Sequence, residues 1–155
     1  MPYTLTYFDI PAVGEPIRLL LLLGKFEYED RRVEFKEWPE MKPTTKWGQL
    51  PVLRTPEGHD LSQSRAILRY LGGKTVVGGS KDPLYPGDPL KAFYVDELMD
   101  TVDDARSKLI PTFSIKDQGE KEAARAALFG EDGDITKLMK KASAQTGTCS
   151  CMYQR

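Results

Sequence analysis

The chain has 155 residues, 40% hydrophobic and 29% charged, with a formal net charge of −1, the make-up of an ordinary globular protein of one domain, or of one small domain and part of another. So near-neutral a chain carries no field to attract nucleic acid or an anionic bilayer, and its longest apolar run, Leu19 to Leu23, falls far short of the roughly 20 residues that span a membrane. No basic segment leading into an apolar one stands at the start, the two cysteines are Cys149 and Cys151, and His59 is the sole histidine; a secretory leader, a disulfide framework, a metal site and a Ser-His-Asp triad are not expected, and a reducing cytoplasm is the expected compartment.

In chain order, YTLTYFD (Tyr3 to Asp9) is β-branched and aromatic and predicts a strand covered on both faces. IPAVG breaks it. GEPIRLLLLLGKF then predicts a helix, with Glu15 and Pro16 in the first turn and Gly24 at the end. YEDRRVEF alternates Tyr28, Asp30 and Arg32 with Glu29, Arg31 and Val33, which predicts a second strand whose polarity suits a sheet edge. KEWPEMKPTTKWGQL holds two prolines, a glycine and two tryptophans, and predicts an irregular loop with room for one helical turn. PVLRT and GHDLS flank the turn PEG as a hairpin, and RAILRYL is the next helix, closed by Gly72 and Gly73. A β-α-β half followed by a β-β-α half predicts a thioredoxin-like α/β domain over residues 1–74.

KTVVGGSKDPLYPG supplies a linker over 75–87. Asp88 can cap a helix that has Pro89 at its first position, and Val95, Leu98, Met99, Val102, Ala105 and Leu109 recur at helical spacing. EKEAARAALF and DITKLMKKASA predict further helices, so 88–145 reads as an all-α second domain, followed by a tail, 146–155, without apolar period.

The junction Gln63-Ser64 before RAILRYL bears on function. Ser64 suits the N-cap, and Ile67 stands where a capping box would place Glu or Gln. Two readings stay open: an ordinary cap, or a helix start whose amides and positive dipole end receive an external carboxylate or phosphate. Pro51 opens a strand directly after the tryptophan loop; it either simply starts that strand or holds a cis bond in a tight turn, leaving Leu50 backbone groups for a ligand.

Taken together, YTLTYFD, EWPEMK, GQLPVL, LSQSRAILRYL and VDELMDTVDDAR resemble the cytosolic glutathione transferases, and within them the sigma class, which includes glutathione-dependent prostaglandin D synthase. The resemblance implies glutathione as cosubstrate, a small hydrophobic electrophile as second substrate and a cytoplasmic homodimer that takes no nucleic acid or membrane as partner. It implies that Gln63 and Ser64 hold the γ-glutamyl carboxylate, that Leu50 before Pro51 pairs with the cysteinyl backbone, and that Trp38, Lys42 and Lys46 reach the glycyl carboxylate. Asp104 matches an acid that reaches the partner subunit's site, and Tyr7 matches the tyrosine that activates the thiol. Alternatives from the same resemblance are a glutathione-dependent lipid (prostaglandin) isomerase and a non-catalytic, crystallin-like glutathione-binding protein. A protein-interaction module built on the thioredoxin-like half is a third.

Two departures from the family stand out. Val13 occupies the place of an arginine common in the class, and IPAVGEP offers no Ser or Cys nucleophile. The family also runs to a longer helical domain, so the second domain here is expected to be incomplete, with apolar helix faces left exposed. A metal or redox role for the Cys-x-Cys of the tail is not expected.

Overall fold

The computed structural model describes residues 1–149 and divides into two compact units, Met1–Ala92 and Phe93–Arg155. In the first, β1 (Tyr3–Phe8), α1 (Glu15–Leu23) and β2 (Tyr28–Val33) are followed by a short helix α2 (Trp38–Met41), then β3 (Val52–Arg54), β4 (Asp60–Ser62) and α3 (Ser64–Gly72). The sheet order is β2-β1-β3-β4, with β1 parallel to β2 and antiparallel to β3. This is the thioredoxin-like arrangement, and β2 lies at the edge its polarity predicts.

The period-2 pattern of β1 explains the core. Tyr3 and Leu5 project to the face where α1 and α3 pack, joined by Ile17, Leu21, Leu53, Ile67 and Leu71 in one cluster. All six leucines and isoleucines of the cluster are fully excluded from water, each stabilising by about 1.5–3 kcal/mol relative to an exposed side chain. Burial, and next the Tyr70 hydroxyl, push the Tyr3 phenol above its ordinary range. Tyr7 shares that face and is 5% exposed, yet it lies outside this core cluster. Its surroundings are those of the site.

Two local expectations are corrected. The segment read as a loop with one helical turn is more regular: α2 starts at Trp38 with Pro39 in its first turn, and a 3-10 turn, Lys42–Thr44, continues it. Proline at the start of a helix loses only an amide that had no partner. The cap of α3 lies one residue earlier than expected, because the Ile67 amide donates to the Gln63 carbonyl (3.0 Å), which makes Gln63 the cap and Ser64 the first helical residue.

Residues 75–87 close on themselves through the Leu84 amide on Thr75 O (2.8 Å) and join the end of α3 through the Tyr85 amide on Gly72 O (3.1 Å). The long helix α4 (Pro89–Leu109) starts on its predicted cap, the Lys91 amide donating to Asp88 Oδ1 at 2.9 Å. A 3-10 turn (Ile110–Ser114), α5 (Gln118–Phe129) and α6 (Asp134–Cys149) complete the described chain. In the second unit Ala105, Ile135 and Ala142 are buried, whereas Phe93, Val102, Phe113, Phe129 and Met139 are exposed. Of the tail, 146–149 continue α6 and Cys151 lies outside the described residues.

Candidate functional site

Strand register sets the site. Thr6 of β1 pairs with Val52 of β3, and Val52 pairs with Ser62 of β4, so the three form one row across the sheet. One residue further toward the same edge stand Tyr7, Pro51 and Gln63. Sequence positions more than 50 apart are thus brought to a single edge by pairing alone.

At that edge the Leu50-Pro51 peptide is cis, the second of the two possibilities the sequence left open. Pro51 is buried and Leu50 half-buried. Gln63 is exposed and takes φ +73°, ψ 107°, a conformation unfavourable for any residue with a Cβ. No side chain caps α3 at Gln63, and Ser64, Arg65 and Ala66 precede the first amide bonded within the helix. The positive end of a two-turn helix therefore opens at Gln63 and Ser64. Such an end, with the Ser64 hydroxyl and the Gln63 amide beside it, is chemically matched to a carboxylate. The Gln63 Nε2 donates to Gln49 Oε1 at 3.4 Å, which ties this corner to the residue before Leu50.

Tyr7 is held by its neighbours. A Cβ added at Gly14 would fall 2.3 Å from Tyr7 Cδ1 and 2.8 Å from Cγ, so the phenol ring packs directly against the turn before α1. Gly14 has no positive φ; space alone demands glycine there. Gly14→Ala is expected to lower stability by about 1–3 kcal/mol, as overpacking does, and to shift the Tyr7 ring. Urea unfolding together with the tyrosine near-ultraviolet circular dichroism of that variant checks both effects.

The Arg18 guanidinium lies 5.9 Å from the centroid of the same ring and is 5% exposed. It gathers the turn around itself. Nη2 donates to Phe8 O (3.3 Å), Nη1 to Ile10 O (3.1 Å) and Glu15 Oε2 (3.1 Å), and Nε to both Asp30 carboxylate oxygens (3.1 and 3.2 Å). Arg18 thus binds the end of β1, the start of α1 and the edge strand β2 together. Val13 is half-buried in the 3-10 turn Ala12–Gly14, beside this arrangement.

On the other face of β1's end, Phe8 packs edge-on to Trp38, ring centroids 5.6 Å apart, which places the first residue of α2 at the same edge. Lys42 and Lys46 are exposed on the segment between α2 and β3; Lys46 Nζ lies 5.4 Å from the Trp47 ring. Asp104 is exposed on α4, in the second unit. Tyr7, Trp38, Leu50, Pro51, Gln63 and Ser64 therefore converge within the first unit, Lys42 and Lys46 lie in the segment joining two of them, and Asp104 stands in a different unit.

Sequence reasoning missed Arg18, Gly14 and Phe8. Arg18 is the one charge set into the apolar stretch of α1, three residues from Glu15, and that placement is a legible sign of a buried ion pair. Nothing local marks Gly14, since its partner is a ring seven residues away. Among the described residues no group of three or more His, Cys, Asp or Glu could hold a metal ion, and no helix is long and apolar enough to cross a membrane.

Comparison with known proteins places these features in a family. The family described as "Glutathione S-transferase, N-terminal domain" matches residues 3–73. The chain is similar to Glutathione S-transferase 1 of Ascaris suum, 37% identical over 151 residues that cover 94% of this chain and 69% of the relative. It is similar in structure to prostaglandin synthase D of Nilaparvata lugens, with a TM-score of 0.69 and 36% identity over 84% of this chain and 62% of that one. A sigma class GST of Fasciola hepatica gives a TM-score of 0.74 at 26% identity, covering 95% of this chain and 67% of the other. The chain thus spans about three fifths to two thirds of the length of these relatives.

Proposed function

This chain belongs to the glutathione S-transferase family, and on that premise we propose that it binds glutathione at the Tyr7–Pro51–Gln63 edge and activates its thiol toward small hydrophobic electrophiles. The observation that carries the proposal is the convergence of a buried tyrosine, a cis-proline edge and a helix start without a side-chain cap in one row of the sheet. Gln63, Ser64 and the first amides of α3 receive the γ-glutamyl carboxylate, where the helix dipole favours negative charge. The Leu50 backbone pairs with the cysteinyl residue as an added strand would. Trp38 borders the glycyl end, and the ammonium groups of Lys42 and Lys46 supply positive charge for its carboxylate.

Bound glutathione supplies a thiolate whose electron pair forms a carbon–sulfur bond, with a leaving group departing or a proton taken up at the neighbouring carbon. The phenol of Tyr7 donates its hydrogen bond to the sulfur and keeps the negative charge there. Arg18, 5.9 Å from that ring, acts as a positioning residue that ties the end of β1 to the turn against which the ring packs. Asp104 serves a second copy's site across a homodimer, meeting the amino group of glutathione. The cytoplasm, where the thiol stays reduced, is the matching compartment, and detoxification the matching role. A second reading, glutathione-dependent isomerisation of a lipid peroxide, draws support from the likeness to a prostaglandin synthase D; it uses the same residues and differs in the second substrate.

Calorimetric titration with glutathione tests the binding half. Ser64→Ala removes one hydrogen bond to a charged group, about 1.5–3 kcal/mol, and is expected to weaken affinity about ten- to hundredfold. Gln63→Glu sets a carboxylate against a carboxylate and is expected to weaken it further. Affinity unchanged in both variants would place glutathione elsewhere.

A further inference from the structure

We propose that Asp30, on the edge strand β2, is a positioning residue for Tyr7: its carboxylate braces two arginines that grip the chain just beyond the tyrosine, an inference that rests on the glutathione reading above. Strand register brings these groups together. β1 and β2 run parallel, with Leu5 opposite Asp30 and Tyr7 opposite Arg32. Period-2 alternation then puts Asp30 and Arg32 on the face that Tyr7 shares.

One carboxylate serves two donors. Arg18 Nε donates to Asp30 Oδ1 at 3.2 Å and Oδ2 at 3.1 Å, and Arg32 Nε donates to the same Oδ2 at 2.9 Å. Each arginine spends its other nitrogens at the end of β1. Arg18 holds the carbonyls of Phe8 and Ile10, and Arg32 Nη1 holds the carboxylate of Asp9. Phe8, Asp9 and Ile10, the residues directly after Tyr7, are thus all tied through one arginine to Asp30. The inner arm through Arg18 is buried and the outer arm through Arg32 and Asp9 is exposed.

β2 does not need this brace to pair, because its ladder with β1 already runs from Tyr28 to Val33. What the ladder leaves unheld is the segment that departs from the sheet after Phe8 and returns at Gly14 against the Tyr7 ring. Within it Ala12 takes φ +34°, a conformation that residues with a Cβ rarely adopt. A strained turn persists only where its surroundings hold it. Removing the brace lets that turn relax, and the phenol resting on it moves with it.

Position and charge predict opposite signs. Losing a negative charge near the site by itself favours a thiolate and lowers the thiol midpoint. Losing the brace draws the phenol away from the sulfur and raises it.

The test titrates the thiol of bound glutathione by its ultraviolet thiolate absorbance in the full chain, for Asp30→Asn and Asp9→Asn, each alone and combined with Tyr7→Phe. Asp30→Asn is expected to raise the midpoint by about one pH unit and to lower kcat/KM about tenfold near neutral pH. Asp9→Asn, which frees only the outer arm, is expected to raise it by about half as much, with about a threefold loss. Its exposed pair adds little to stability, so this variant keeps the fold and decides alone should Asp30→Asn not fold. Glutathione affinity stays within about twofold throughout, and neither substitution moves the midpoint further once Tyr7 is Phe. A midpoint unchanged or lowered by the folded variants, or a rise that persists in the Tyr7→Phe background, overturns the role of Asp30 alone. Failure of wild type to bind glutathione, or equal midpoints for wild type and Tyr7→Phe, overturns the glutathione reading and this inference together.

Discussion

Arg18→Met is expected to lower the stability of the first unit by about 3–5 kcal/mol, the usual cost of removing one partner from a buried ion pair. The magnitude follows from what the guanidinium leaves behind. Asp30, with one fifth of its side chain exposed, loses its bifurcated donor and keeps only Arg32, and the carbonyls of Phe8 and Ile10 lose theirs. Glu15 is nearly half exposed, so solvent screens its share and it contributes little. Marginal domains hold about 5–15 kcal/mol in total, so this loss takes a large fraction. Arg18→Lys is expected to recover less than half, because a point-charge ammonium cannot serve both carboxylates and both carbonyls at once. Urea unfolding midpoints of the two variants measure this. A loss below about 1 kcal/mol for Arg18→Met would mean that the cluster is no better than a surface pair.

Tyr7→Phe is expected to reduce kcat/KM with a chlorodinitrobenzene substrate about a hundredfold near neutral pH while leaving glutathione affinity nearly unchanged. A free thiol titrates near ~8.5, so little of it is ionised at neutral pH. Holding it about two units lower requires roughly 2.7 kcal/mol of preferential stabilisation of the anion. One charge-assisted hydrogen bond from a phenol in a partly dry site supplies most of that. The loss should appear in kcat/KM because the bond favours the charged state and not the bound peptide. Steady-state kinetics decides between readings: equal, slow rates for wild type and Tyr7→Phe would favour a non-catalytic, crystallin-like protein, and Val13 in the place of the loop arginine would then acquire meaning.

Much of the first unit was legible because its elements carry strong local signals. β1 shows unbroken β-branched and aromatic character, α1 has Pro16 at its start and Gly24 at its end, and Asp88 caps α4 as its spacing predicts. The place of β2 at the edge was legible from its polarity, whereas at Pro51 the sequence left a cis bond and a plain strand start both open and the fold selects the cis bond. The Gln63 cap was not. Ser64 has the better capping chemistry, and only the pairing of β4 with β3 turns the chain so that Gln63 must take the positive φ. Gly14 and Phe8 were hidden for a related reason. Each matters through a partner brought to it by the fold: the Tyr7 ring for Gly14, and Trp38 for Phe8. Local pattern reads what a residue is; tertiary pairing decides what it touches.

The most direct test of the central claim is to titrate the thiol of bound glutathione by its ultraviolet thiolate absorbance, in wild type and in Tyr7→Phe. The wild-type midpoint is expected about two pH units below that of the variant, which should return toward the free-thiol value near ~8.5. Because the hydrogen bond favours the anion, the difference in thiolate fraction should be largest between the two midpoints and vanish above the higher one. Coincident midpoints near the free-thiol value would show that Tyr7 does not activate the sulfur.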